Sequence, residues 1–311
     1  MMRHATFRQL EVFEAIARLG SFTRASEELH LTQPTVSMQM KKLSDAVGLP
    51  IYEQIGRQIR LTDAGQELAT TAREILQALE HYDMVVADMQ GLKKGKLRLT
   101  VSTTAKYFAP RMLGEFSRIH PGIEVSLKVT NRQKVLDRAA ENLDDLYILC
   151  QPVSHVALDA RPFLENALVV LAHPEHPLVG VRNIPIARLE EEPFLMREIG
   201  SGTRLSVEQM FASHGIKPNI RMELGSNEAI KQAILGRLGI SVLSRHTLGM
   251  DGMNELVVLD VEGFPIVRQW HIAYPRGKQL SVVAKAFLEF LWENVMPDAE
   301  PRAQGRSSRD R

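Results

Sequence analysis

The stretch Ser21 to Leu49, SFTRASEELHLTQPTVSMQMKKLSDAVGL, constrains this chain more than any other, because its apolar positions fit two short helices joined by a tight turn. Ala25 and Leu29 lie four apart on the first helix. On the second, Val36, Met40, Leu43 and Val47 recur at i, i+4, i+7 and i+11, a stripe that must pack inward. Thr32 is placed to cap that helix, and Pro34 falls in its first turn, where a missing N–H costs nothing. The outward face is then Gln33, Thr35, Ser37, Met38, Gln39, Lys41 and Lys42, polar and short-chained at one end and cationic at the other. Such a face suits a helix that lays base-reading groups in a major groove and clamps phosphates beside it.

The flanks support a small DNA-binding head. Thr6 followed by Gln9 is a capping-box pattern, and Leu10, Phe13 and Ala17 give the segment to Leu19 an apolar stripe that can complete a trihelical core. After Gly48-Leu49-Pro50, the segments 51–54 and 58–61 flank Ile55-Gly56-Arg57 and read as a hairpin or wing, with Arg57 and Arg60 as phosphate or minor-groove contacts. Thr62 then opens a helix expected to reach Gln90. Along it Leu68, Ala72, Ile75, Leu79, Tyr82, Val86 and Met89 step alternately by four and three, a heptad seam that calls for a partner helix. Gly91-Leu92-Lys93-Lys94-Gly95 reads as a cationic hinge, so the expected divisions are a head over 1–61, a linker helix over 62–90, a hinge over 91–95 and a second body over 96–297.

In sequence, GSFTRASEELHLTQPTVSMQMKKLSDAVGLPIYEQIGRQIRLTDAG resembles the N-terminal domain of the LysR-type transcriptional regulators, a bacterial family with a winged helix-turn-helix. The resemblance rests on Ala17 and Ala25, the Leu31-Thr32-Gln33-Pro34 turn, Ser37, Leu43, the Gly48-Leu49-Pro50 exit and Leu61-Thr62-Asp63-Ala64-Gly65. It implies a homodimer, or a homotetramer, joined through the linker helix and bound to a two-fold operator in double-stranded DNA. RNA polymerase is a candidate further partner. The DNA-contact set it implies is Arg24, Thr32, Gln33, Pro34, Thr35, Ser37, Met38, Lys41, Lys42, Arg57 and Arg60.

With 311 residues, 44% hydrophobic and 24% charged, the chain is long enough for such a head and a separate sensing body. No apolar run approaches the roughly 18 residues of a membrane span, and Glu11, Glu14 and Arg18 interrupt the N-terminal periodic stretch, so a cytoplasmic protein is expected. The formal net charge of +1 hides an uneven distribution: residues 1–61 hold eight Lys/Arg against six Asp/Glu, 62–90 one against six, and 91–100 four against none. The single cysteine, Cys150, excludes an intramolecular disulfide and, in the run Leu146-Tyr147-Ile148-Leu149-Cys150, reads as a buried structural thiol.

From Lys96 strands and helices alternate, which predicts a parallel sheet covered on both faces: strands at 97–102, 123–129 and 146–150, helices at 108–119 and 134–143. A second series follows, with strands at 167–172, 194–197, 220–224 and 240–243 and helices at 203–214 and 227–238; strand 270–274 and helix 281–295 return to the first. Two α/β lobes are expected, the first over about 96–165 and 269–297 and the second over about 166–268, with a disordered tail from 298. Ligands of such sheets bind at the carboxyl ends of strands, beside helix N-termini. Those ends carry Ser102, Thr103, Thr104 and Lys106 after the first strand, Asn131-Arg132 after the second and Gln151 after the third; the other lobe offers Arg197, Ser201, Gly202, Thr203 and Arg204. Hydroxyls, amides and cations around one cleft suit a small phosphorylated or carboxylated metabolite.

This half resembles the effector-binding domain of the same family, built like the periplasmic solute-binding proteins. Its strings STTAKYFAP, ENLDDLYIL, REIGSGTR, MELGSNEAIKQAI and LDVEGFPI are similar to those of the regulators of carbon-dioxide-fixation (RuBisCO) operons. That resemblance adds 2-phosphoglycolate, 2-oxoglutarate, Calvin-cycle intermediates and NADPH to the candidate effectors and implies no bound cofactor. His173-Pro174-Glu175-His176-Pro177 lacks a third ligand and reads as a surface turn rather than a metal site, and no nucleophile, base and orienter assemble into a catalytic group. The alternatives are a LysR-type regulator of another metabolic pathway and, in a different class, a solute-binding protein with a helical accessory head.

Overall fold

The computed structural model describes residues 5–55, 58–89, 94–150, 156–248 and 255–294. Arg57, Gln151, the Met89 side chain, hinge residues 91–93 and the tail from 298 lie outside the described residues. The chain divides into two units, Met1–Leu92 and Lys93–Arg311.

In the first unit, α1 (Phe7–Leu19) begins at the expected capping box: Thr6 Oγ1 accepts from Gln9 N, and Thr6 N donates to Gln9 Oε1 at 2.9 Å. Next come α2 (Phe22–Glu28) and α3 (Gln33–Val47), whose N-cap Thr32 accepts from Thr35 N at 3.4 Å. Val36, Met40 and Leu43 are buried with Phe13, Ile16 and Ala25, and Val47 packs against that cluster. Arg18 reaches both Glu14 and Glu28, tying α1 to the end of α2. The wing is an antiparallel pair, β1 (Tyr52–Ile55) and β2 (Gln58–Leu61), in register Ile55 with Gln58.

The linker helix α4 (Asp63–Met89) starts where Thr62 Oγ1 accepts from Gly65 N at 3.1 Å and donates to Pro50 O. A Cβ on Gly65 would stand 1.9 Å from Ile51 O, so glycine is required where the helix passes the residue that leads into β1. The expected seam divides. Leu68 and Ala72 are buried in the head's own core and Ile75 packs against it, so these three are turned to α1. Beyond them Leu79 is 38% and Tyr82 64% exposed, with Val86 half-buried.

In the second unit the strands and helices follow as β3 (Gly95–Ser102), α5 (Ala109–Ile119), β4 (Ile123–Thr130), α6 (Arg132–Ala140), β5 (Leu146–Cys150), β6 (Leu158–Ala172), β7 (Pro193–Arg197), α7 (Gly202–Ser213), β8 (Asn219–Leu224), α8 (Asn227–Leu235), β9 (Ser241–Ser244), β10 (Val257–Leu259), β11 (Ile266–Pro275) and α9 (Val282–Asn294). The expectation of a parallel sheet is corrected. β3 pairs parallel with β4 and β5, and β7 with β8, but β11 runs antiparallel to β5 and β6, and β6 antiparallel to β9 and β10. The miss has a plain cause: β6 starts at Leu158 rather than Ala167, and its first half carries Asp159, Arg161 and Pro162, so only its end shows an apolar run.

That end is buried on both faces. Leu168, Val170 and Ala172 pack with Val207 and Phe211 of α7, while Val169 and Leu171 pack with Ile230 and Ile234 of α8. In the other half, Val135, Leu136 and Ala139 of α6 lie against Tyr147, Leu149 and Ala273.

Gly65→Ala should destabilise the head by about 1–3 kcal/mol through the clash with Ile51 O. Urea unfolding followed by helical circular dichroism checks this; a change within about 0.5 kcal/mol would show that α4 does not need glycine there.

Candidate functional site

Two surfaces carry chemistry. On the head, Gln33, Pro34, Ser37, Met38, Lys41 and Lys42 of α3 are exposed, with Met38 47% exposed. Thr35 is half-buried and shares a 2.8 Å hydroxyl contact with Thr32, so these two threonines shape the first turn of the helix as well as its surface. Arg24 on α2 and Arg60 on β2 are exposed. Inward packing of Val36, Met40 and Leu43 is what leaves this polar and cationic face outside.

In the second unit a pocket with about 310 Å3 of open space is lined by Ser102, Thr103, Thr104, Asn131, Arg132, Cys150, Arg197, Ser201, Gly202, Thr203, Arg268 and Trp270. Nine of the residues expected from sequence therefore converge: Ser102, Thr103, Thr104, Asn131, Arg132, Arg197, Ser201, Gly202 and Thr203.

Two helix N-termini meet here. Asn131 caps α6, accepting from Lys134 N at 2.9 Å, and Ser201 caps α7 through Arg204 N. They touch where Gln133 N donates to Gly200 O at 3.2 Å. A Cβ on Gly202 would stand 2.9 Å from Arg132 Cδ, so the first residue of α7 leaves room for that side chain. Partial positive charge from both helices thus points to one spot. Ser102 Oγ donates to Ile148 O at 3.3 Å and Thr103 Oγ1 to Thr130 O at 3.0 Å, so both hydroxyls spend their protons on neighbouring strands and pin the end of β3.

Lys106 and Arg204, expected among the effector contacts, are placed elsewhere. Lys106 Nζ donates to Glu228 Oε2 at 2.5 Å, and Arg204 pairs with Glu208 at 2.7 Å and with Glu223. Glu228 lies on α8 and Glu223 on β8, so these partners come from elements distant in the chain, which single-stretch reading does not reveal. Arg197 does line the pocket, yet its charge is balanced by a two-pronged contact with Glu198 at 2.7 and 2.9 Å, and it donates to Asn227 Oδ1.

Arg268 and Trp270 were not anticipated, although the strand held a signal. Period-two alternation over Ile266, Arg268, Trp270 and Ile272 sets an arginine on a buried face. Cys150 is buried as expected; burial pushes its thiol pKa up, and Asn166 Nδ2 donates to its Sγ at 3.0 Å.

Beside the pocket, Lys106 and Tyr107 of the turn 103–107 both donate to Glu228 in the first turn of α8, while Asn227 links Arg197 to Thr104. Burial, the largest single influence, favours the neutral Glu228 carboxyl, but the donors Lys106 and Tyr107 together outweigh it and push the pKa down to about 2.

A helix-turn-helix head with an exposed polar and cationic face, and a two-sided α/β pocket in a second unit, are the features of ligand-responsive DNA-binding proteins. Residues 7–66 match the bacterial regulatory helix-turn-helix model of the lysR family, and residues 90–296 match the LysR substrate binding domain. The chain belongs to the LysR family of transcriptional regulators. It is 56% identical to the HTH-type transcriptional activator CmpR of Synechocystis, over 94% of this chain and 96% of that one. With the RuBisCO operon transcriptional regulator of Acidithiobacillus ferrooxidans it shares 48% identity over 94% of each. The Synechocystis CcmR regulatory domain, solved in complex with 2-PG, is 54% identical with a TM-score of 0.64, covering 65% of this chain and 98% of that one.

Glu228 should make stability pH-dependent in one direction. Its folded pKa lies below the ordinary 4.5, so its contribution is complete above that value and is lost as pH falls toward 2. Between about pH 5 and pH 3 the melting temperature of Glu228→Gln should fall less than that of the parent. Parallel curves would show that the Lys106–Glu228–Tyr107 contact does not set acid stability.

Proposed function

We propose that this LysR-family regulator controls carbon-dioxide-fixation genes and answers to a small anionic metabolite held in the pocket between β3, α6, α7 and β11. What carries this reading is high identity to an activator and a RuBisCO-operon regulator along nearly the whole of both chains. The pocket supports an anion: two helix N-termini and three arginines line it, with Glu198 paired to Arg197 and Arg268 held only by neutral acceptors in its hydrogen bonds. 2-Phosphoglycolate is the favoured effector, being small, anionic and the 2-PG bound by the similar CcmR domain.

On DNA, Gln33, Ser37 and Met38 contact base edges, Met38 offering an apolar tip to a thymine methyl, while Arg24, Thr32, Pro34, Thr35, Lys41, Lys42 and Arg60 position the helix on the backbone. Two heads pair through the open part of α4, around Leu79, Tyr82 and Val86, which sets the two reading helices on a two-fold site. The protein works in the cytoplasm, where its operator is.

A gel shift on DNA upstream of a carbon-fixation operon, with and without 2-phosphoglycolate, tests the function; no sequence-specific shift overturns it. Gln33→Ala and Ser37→Ala should each weaken specific binding by about 1–3 kcal/mol and leave random DNA nearly unaffected, whereas Lys42→Ala should weaken both and reduce the salt slope by about 1. Equal losses on both DNAs for Gln33→Ala would remove it from base reading. Leu79→Asp should dissociate the pair and abolish the footprint; an unchanged elution volume would exclude that part of α4 as the seam.

A further inference from the structure

Arg268 is 7% exposed, and Trp270, two residues along the same strand face, is 2% exposed. Both line the pocket. Arg268 Nη1 donates to Gly202 O at 2.8 Å and to Ser206 Oγ at 2.9 Å, two neutral acceptors on α7. Its Nε, and Nε1 of Trp270, are buried donors without an acceptor. No carboxylate among the described residues pairs with Arg268. Its titratable neighbours are Cys150, a buried thiol, and Arg132, a second cation, and burial foremost lowers its pKa.

A buried guanidinium without a countercharge is costly, as is each buried N–H without an acceptor. Packing alone gives no reason to combine them at the wall of one pocket. We propose that Arg268 and Trp270 hold the doubly ionised, tetrahedral end of the effector, a phosphoryl group, which supplies the missing charge to Arg268 Nε and an acceptor to Trp270 Nε1. The pocket on this assignment selects phosphate esters over simple carboxylates. The inference rests on the pocket being the effector site.

Calorimetry on the full chain with 2-phosphoglycolate, inorganic phosphate and glycolate decides it. The parent should bind 2-phosphoglycolate well ahead of glycolate, with inorganic phosphate in between; the phosphate arm separates a free phosphate from an ester. Arg268→Met should weaken 2-phosphoglycolate by about 10- to 150-fold, the loss of one charge-assisted bond, while glycolate changes little. Trp270→Phe should lose about 2- to 10-fold, as for one neutral donor. Arg268→Lys should keep most of the preference for the phosphorylated ligand, which a merely structural arginine would not require. Thermal unfolding without ligand should find Arg268→Met no less stable than the parent, since it removes an uncompensated buried charge. If Arg268→Met fails to fold, Arg268→Lys and Trp270→Phe carry the test. Parent-like discrimination between phosphorylated and plain ligand in Arg268→Met and Trp270→Phe overturns the assignment and leaves the effector site standing. A parent that binds none of the three overturns the effector reading itself.

Discussion

Ten residues of β11, Ile266 to Pro275, pair antiparallel with β6. The pocket depends on this ladder. Through it the parallel group β4-β3-β5 and the antiparallel strands β9 and β10 become one sheet, and the carboxyl ends of β3, β4 and β5 come to face the N-terminus of α7. Side chains on one face of β11 then point at the meeting place of both halves, which is why Arg268 can touch α7 and line the pocket at once. An open α/β sheet binds ligands at such strand ends because the helix amides there are unpaired and carry partial positive charge.

The same inward packing organises the head. Burial of Val36, Met40 and Leu43 against α1 fixes which residues of α3 remain outside, and Leu68 and Ala72 seat the start of α4 on that core. The backbone at Ile51, just before the wing, approaches α4 so closely that Gly65 has no room for a side chain. What remains of the seam, around Leu79 and Tyr82, is apolar surface at a spacing that suits another helix.

Local signals proved legible. The Thr6 capping box, the Thr32 cap, the Pro34 first turn, the wing pair and the strand at Leu146–Cys150 all depend on residues within a few positions, and they form as the sequence reads. Most of the pocket was legible too, because helix caps and strand ends have recognisable chemistry. Pairing across the chain was not. Lys106 and Glu228 are 122 residues apart, and Arg197 and Asn227 are 30 apart, so both cations read as ligand contacts and their protein partners stayed hidden. The antiparallel course of β6 was hidden because its first half alternates charge and half-burial instead of showing an apolar run. Arg268 was visible as an anomaly in an otherwise apolar face, and its meaning came only from the missing acceptor.

On the proposed function, a small phosphorylated anion settles where β3, α6, α7 and β11 meet. Hydrogen exchange on the full chain, with and without saturating 2-phosphoglycolate, tests it most directly, since amides ordered by a ligand exchange more slowly. Protection should concentrate at Ser102–Thr104, Asn131–Arg132, Ser201–Arg204 and Arg268–Trp270, four segments far apart in sequence that share one pocket. Protection confined to other segments, or none under conditions where the ligand is bound, would contradict it.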